Sequence, residues 1–165
     1  MFLKCKRGNA IIDSIFFIVV MVIFGLVVLI GYQLFGDLNT DIQANSDLSN
    51  TSKQSSADLY ARYPSFFDGL FLFLMILLWG FVLVASFMID SHPIFFVFAI
   101  ILLVFVLLIG GSLSNFWDEI SGDDGFSTEA NSFPITDWIL SNIIIVVLIV
   151  GFSVIIALYG KSRIG

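Results

Sequence analysis

The sequence predicts an all-α integral membrane protein: a single domain folded as a four-helix bundle, with a tight hairpin between its second and third spans. Three observations carry this. Of 165 residues, 59% are hydrophobic and only 12% charged, whereas ordinary soluble domains are about 45–50% apolar and about 25% charged. Mean hydropathy is +1.05. The apolar residues also fall into four uncharged runs of about 20, the length that crosses a hydrocarbon core about 30 Å thick at about 1.5 Å per residue. Lipid offers no water to exposed backbone groups, so runs of this length are helices, whereas barrel strands would alternate over about 10 residues.

The first run extends from about Ser14 to Phe35. Beyond it Leu34, Leu38 and Ile42 continue at four-residue spacing, one face of a helix, which predicts a projection to about Ala44. Asn45 to Ser56 is rich in Ser, Asn and Asp, which compete for backbone hydrogen bonds and favour turns. A short helix over about Ser56 to Tyr63, ended by Pro64, is expected next. Ser65 with Asp68 three residues later then reads as a capping box for the second run, about Gly69 to Ile89.

Asp90-Ser91-His92-Pro93 reverses the chain, since Pro93 suits a first helical turn and Asp90 or Ser91 can cap it. Spans two and three, the latter about Pro93 to Leu113, are therefore expected to form an antiparallel hairpin. The fourth run, about Trp138 to Tyr159, is preceded by Thr136 and Asp137, an acceptor and a negative charge suited to a helix N-terminus.

Basic residues set the orientation, because short loops rich in Lys and Arg stay cytoplasmic. Lys4, Lys6 and Arg7 precede the first span and Lys161 and Arg163 follow the fourth, against only Lys53 and Arg62 in the first loop. Both termini are expected on the cytoplasmic or equivalent face, with outer loops over about 36–65 and 114–137. Tyr32, Trp117 and Trp138 cluster near the outer boundary and Tyr159 near the inner one, as amphipathic rings prefer. Trp79 lies mid-span, where its indole N–H requires an acceptor if it is buried among helices.

The residues point away from chemistry. No run contains Asp, Glu, Lys, Arg or His, the usual mark of a proton or substrate path in a membrane. His92 is the single histidine and Cys5 the single cysteine, so one chain builds neither a histidine metal cage nor a disulfide. Asp90, Ser91 and His92 are too close in sequence for a catalytic relay. A net charge of -6 without clustered bases excludes nucleic acid as a natural partner. No catalytic residue, cofactor or metal is expected, although Asp118, Glu119, Asp123 and Asp124 begin an acidic strip that would solvate a loop, or else attract a divalent cation or a basic partner. Asn50-Thr51-Ser52 is formally a glycosylation sequon, which a loop of this composition also produces by chance.

The expected contact surfaces are the outer loops. Leu38, Ile42, Tyr60 and Tyr63 in the first, and Trp117, Asp118, Glu119, Asp123, Asp124, Phe126 and Phe133 in the second, are the candidate partner contacts. Within the bundle, Gly110 with Ser114 and Ser153 with Ala157 show the small-x-x-x-small spacing that lets helix backbones approach. The same faces would serve a homo-oligomer.

Two stretches resemble known families. Lys6-Arg7-Gly8-Asn9-Ala10-Ile11-Ile12-Asp13 is similar to a type IV prepilin processing site, but three further spans depart from that family's single span and soluble head. From Asp37 to Lys161 the chain resembles short multi-span proteins of bacterial viruses that carry an internal membrane beneath a jelly-roll capsid. The strings concerned are Phe66-Phe67-Asp68-Gly69-Leu70-Phe71, Asp90-Ser91-His92-Pro93-Ile94-Phe95-Phe96 and Leu158-Tyr159-Gly160-Lys161. This resemblance implies a structural virion membrane protein whose partners are the lipid bilayer and capsid or other membrane proteins. An oligomeric pore of holin type is the alternative.

Overall fold

The computed structural model describes residues 10–88 and 94–164. Among them all regular structure is helical: α1 (Ala10–Ala44), α2 (Asn50–Met88), α3 (Ile94–Ser121), the single turn α4 (Ser127–Ala130), α5 (Pro134–Ser141) and α6 (Ile143–Ile164). Three helices are long and apolar enough to cross a membrane, over Ile18–Ala44, Asn50–Val84 and Ala99–Ser121. The pair Pro134–Ser141 and Ile143–Ala157, bent by 75° at its break, makes a fourth if it counts as one span. Cys5, the Lys6–Asn9 part of the prepilin-like string and the Asp90–Pro93 turn with His92 lie outside the described residues.

α1 runs on to Ala44 as its four-residue spacing predicts, and at 35 residues it measures about 52 Å, well beyond a hydrocarbon core of about 30 Å. The chain reverses over Asn45–Ser49, where the Asn45 side chain accepts from the Asp47 N–H at 2.9 Å. Ser49 then caps α2 by accepting from the Ser52 N–H at 3.2 Å. The two helices return antiparallel and are tied by polar groups: Ser56 Oγ donates to Asn39 Oδ1, Gln43 Nε2 to the Lys53 carbonyl and Lys53 Nζ to the Gln43 carbonyl.

α2 corrects one expectation. Instead of a short helix ending before Pro64, one helix of 39 residues runs through it. Pro64 removes one backbone donor and crowds the preceding turn. Tyr60 and Tyr63, on the N-terminal side of the proline, pack against Tyr32 and Phe35 of α1, and Tyr63 also packs on Phe67 beyond it, which joins the two sides in one face.

The helices form a ring in which α1 packs on α2, α2 on α6, α6 on α3 and α3 on α1, with α5 set against α2 and α3. The turn expected to join α2 and α3 in a hairpin lies outside the described residues; among those described, α6 packs on both helices. There Gly151 admits the Leu103 side chain of α3 and Ser153 accepts a hydrogen bond from Trp79 of α2 at 3.0 Å. The core is a layer of Ile18, Met21, Val22, Leu29, Phe71, Val106, Trp117 and Leu140, with Ile143 and Val147 of α6 behind it. Gly25 lets α1 approach that layer, since a Cβ there would meet Leu140 at 2.5 Å and the Trp117 ring at 3.2 Å.

Candidate functional site

The most ordered polar arrangement surrounds α5. This eight-residue helix begins with Pro134 at its first position, and the residue before it, Phe133, has no oxygen with which to cap. Its free N–H groups are satisfied from another helix: Asp68 of α2, only 5% exposed, accepts from Ile135 N at 3.0 Å and Thr136 N at 2.6 Å through its two carboxylate oxygens. A carboxylate here also opposes the positive end of the helix dipole. Asp137, in the first turn, accepts from Trp117 Nε1 of α3 at 2.9 Å. The Thr136 hydroxyl is buried without a partner.

The other end of α5 is held in the same manner. Asn142 interrupts the apolar run, and both its backbone N–H and its side-chain Nδ2 donate to the Trp138 carbonyl, at 3.1 and 2.8 Å. Its own carbonyl accepts from Ile145 and Val146, which starts α6 in a new direction. The carbonyl of Ser141, at the end of α5, takes a short hydrogen bond from Ser114 Oγ of α3. A bent helix therefore keeps its backbone paired, as a membrane interior requires. The fourth run, expected as a helix over about Trp138 to Tyr159, is broken at Asn142 by these bonds. The Ser65–Asp68 capping box is corrected: Ser65 lies inside α2, and Asp68 caps a different helix.

Next to this elbow lies an aromatic layer. Tyr32 stacks on Tyr60 with ring centroids 4.8 Å apart and meets Phe133 edge-on at 5.3 Å. Tyr63 packs on Phe67 at 4.3 Å, and its hydroxyl donates to the Val28 carbonyl at 3.3 Å. Gly31 and Gly36 of α1 make room for the Tyr63 and Tyr60 hydroxyls. Hydrogen bonding with Tyr32, then burial and the Tyr32, Glu129 and Asp37 charges, pushes the Tyr60 hydroxyl up to about 12. Burial raises that of Tyr63.

The candidate contacts therefore separate. Trp117 and Phe133, expected at the surface, are 1% and 2% exposed, because the indole reaches Asp137 and the phenyl closes the tyrosine layer. Phe126 packs against the core. Leu38 is exposed, and Ile42, Tyr60 and Tyr63 are half-buried along the hairpin. Asp118, Glu119, Asp123 and Asp124 are exposed, and Asp123 is used locally to accept from the Gly125 N–H at 2.8 Å. Among the described residues no group of three or more His, Cys, Asp and Glu is placed to hold a metal ion. Of the small-residue positions, Gly110 faces Ile143, Ser114 reaches Ser141, Ser153 meets Trp79 and Ala157 is buried. The two outer segments touch where Phe133 meets Tyr63, and Gln33 Nε2, near the end of the first run, donates to the Gly125 carbonyl at 3.4 Å.

The roles of Asp68 and Asn142 escape the local reading of the sequence. Two signals point to them: a helix start at Phe133-Pro134 with no capping side chain of its own, and a lone amide inside an apolar run. Fold and site together define an all-helical protein with three, or up to four, potential membrane spans and an internally capped elbow. Comparison with known families, curated proteins and solved structures returns no match.

Proposed function

We propose that the chain is a structural integral membrane protein: a four-span bundle with both termini on the cytoplasmic-equivalent face, presenting the α1–α2 hairpin and the α5 elbow together on the other. The preferred setting is a virion internal membrane, where the projecting surface would link lipid to capsid or to other membrane proteins. The observation that carries a structural reading is the use of Asp68. Among the described side chains it is the only buried charged one, and both its oxygens are engaged by backbone N–H groups of α5. The hairpin supports a contact role because polar bonds across its axis keep it stiff as far as Lys53 and Gln43.

Mass spectrometry of the native source tests the reading. Recovery in a fixed ratio with a capsid protein in purified particles is the expected result. Release of dye from liposomes containing only this protein, with no such co-purification, would replace it with the pore reading.

A further inference from the structure

A furrow of about 540 Å³ opens beside the hairpin, lined by Gly31 and Phe35 of α1 and by Leu59, Arg62, Tyr63, Phe66 and Phe67 of α2. Its volume falls within the roughly 300–1,000 Å³ of small-ligand sites. Apart from Arg62 and the Tyr63 hydroxyl, which is committed to the Val28 carbonyl, the wall is apolar. Leu59, Arg62 and Phe66 are exposed on one face of α2, so the furrow opens outward rather than into the bundle.

We propose that this furrow binds one glycerophospholipid, its phosphate held by Arg62 and one acyl chain lying along Phe35, Phe66 and Phe67 toward the apolar run. The proposal rests on the four-span reading, which places Arg62 about 10 Å before the apolar run starting at Gly69, in the headgroup layer. The headgroup is selected by one local charge. The first outer segment carries two bases, Lys53 and Arg62, against four acids, Asp37, Asp41, Asp47 and Asp58. Lys53 Nζ is tied to the Gln43 carbonyl at 2.9 Å, which leaves the Arg62 guanidinium, a fork suited to phosphate oxygens, above an apolar trough. A protein segment of basic character would be repelled by Arg62, and a soluble anion has no use for the aromatic wall.

The test uses the full chain in phosphatidylcholine liposomes containing a little phosphatidylglycerol with a diazirine on one acyl chain. After photolysis, labelled residues are mapped by mass spectrometry, with Phe105 and Leu108 on the exposed face of α3 as the reference for lipid that merely surrounds the protein. The expected result is labelling at the furrow above that reference, lowered about tenfold by Arg62→Gln, as for loss of one charge-assisted hydrogen bond, and largely kept by Arg62→Lys. Furrow labelling equal to the reference, or unchanged in Arg62→Gln, overturns the proposal. Abolition of the label by inorganic phosphate alone overturns the acyl-chain part. Loss of labelling at α3 as well sinks the membrane reading, a different failure from loss at the furrow only.

Discussion

Asp68 shows how one side chain can join two helices. A carboxylate inside an apolar stretch is costly unless its oxygens are paired, and here each accepts a backbone N–H that α5 would otherwise leave unmet. Asp68→Ala strands both donors, and a loss of about 2–6 kcal/mol is expected from penalties of about 1–3 kcal/mol for each unsatisfied group. Ser65→Ala, which would weaken a local capping box, is expected to change stability by less than about 0.5 kcal/mol. Unfolding in mixed micelles, followed by circular dichroism, distinguishes the two; equal losses would restore the capping box.

Tyr60 offers a test by pH. Its folded value near 12 lies above the ordinary 10, so the folded state holds its proton more tightly than the unfolded chain does. The associated stability is complete below about pH 10 and is lost as pH rises through about 12. Ultraviolet titration is expected to show a tyrosine ionising near 12 that disappears in Tyr60→Phe. Ionisation of every tyrosine by pH 10.5 would contradict the packing at Tyr32.

At the level of whole helices, the elements readable from sequence are those with a single dominant signal. The long apolar runs identified α1, α2, α3 and the region of α6, and Leu34, Leu38 and Ile42 carried α1 to Ala44. Pro64 misled because a local rule was outweighed by tyrosine packing between helices that no local pattern encodes. Pro64→Ala restores a donor for the Tyr60 carbonyl, and a gain of about 1–3 kcal/mol in hairpin stability is expected if α2 is continuous. The same unfolding measurement checks it, and a net loss would mean that the proline ends one helix before another begins. The elbow was unreadable for a related reason: the run from Trp138 to Tyr159 has one hydropathy, yet Asn142 turns its backbone, and the partners that make the turn affordable, Asp68 and Ser114, are distant in sequence.

For the molecule as a whole, the ring of α1, α2, α6 and α3 brings the hairpin and the elbow to one end, joined by Phe133 against Tyr32 and Tyr63. Without strong hydrophobic driving force between helices in lipid, close packing and hydrogen bonds must hold such a ring. The glycine contacts at Gly25, Gly110 and Gly151 and the Trp79–Ser153 bond are of that kind. The central claim is that this end is a single surface on one side of a membrane. Impermeant maleimide applied to sealed vesicles tests it, with single cysteines at Leu48, Asp124 and Ser162 in a Cys5→Ser chain and the natural Cys5 as a fourth reporter. Labelling of positions 48 and 124 from one side, with 5 and 162 reached only from the other, is the predicted result; labelling of 48 and 124 from opposite sides would contradict it.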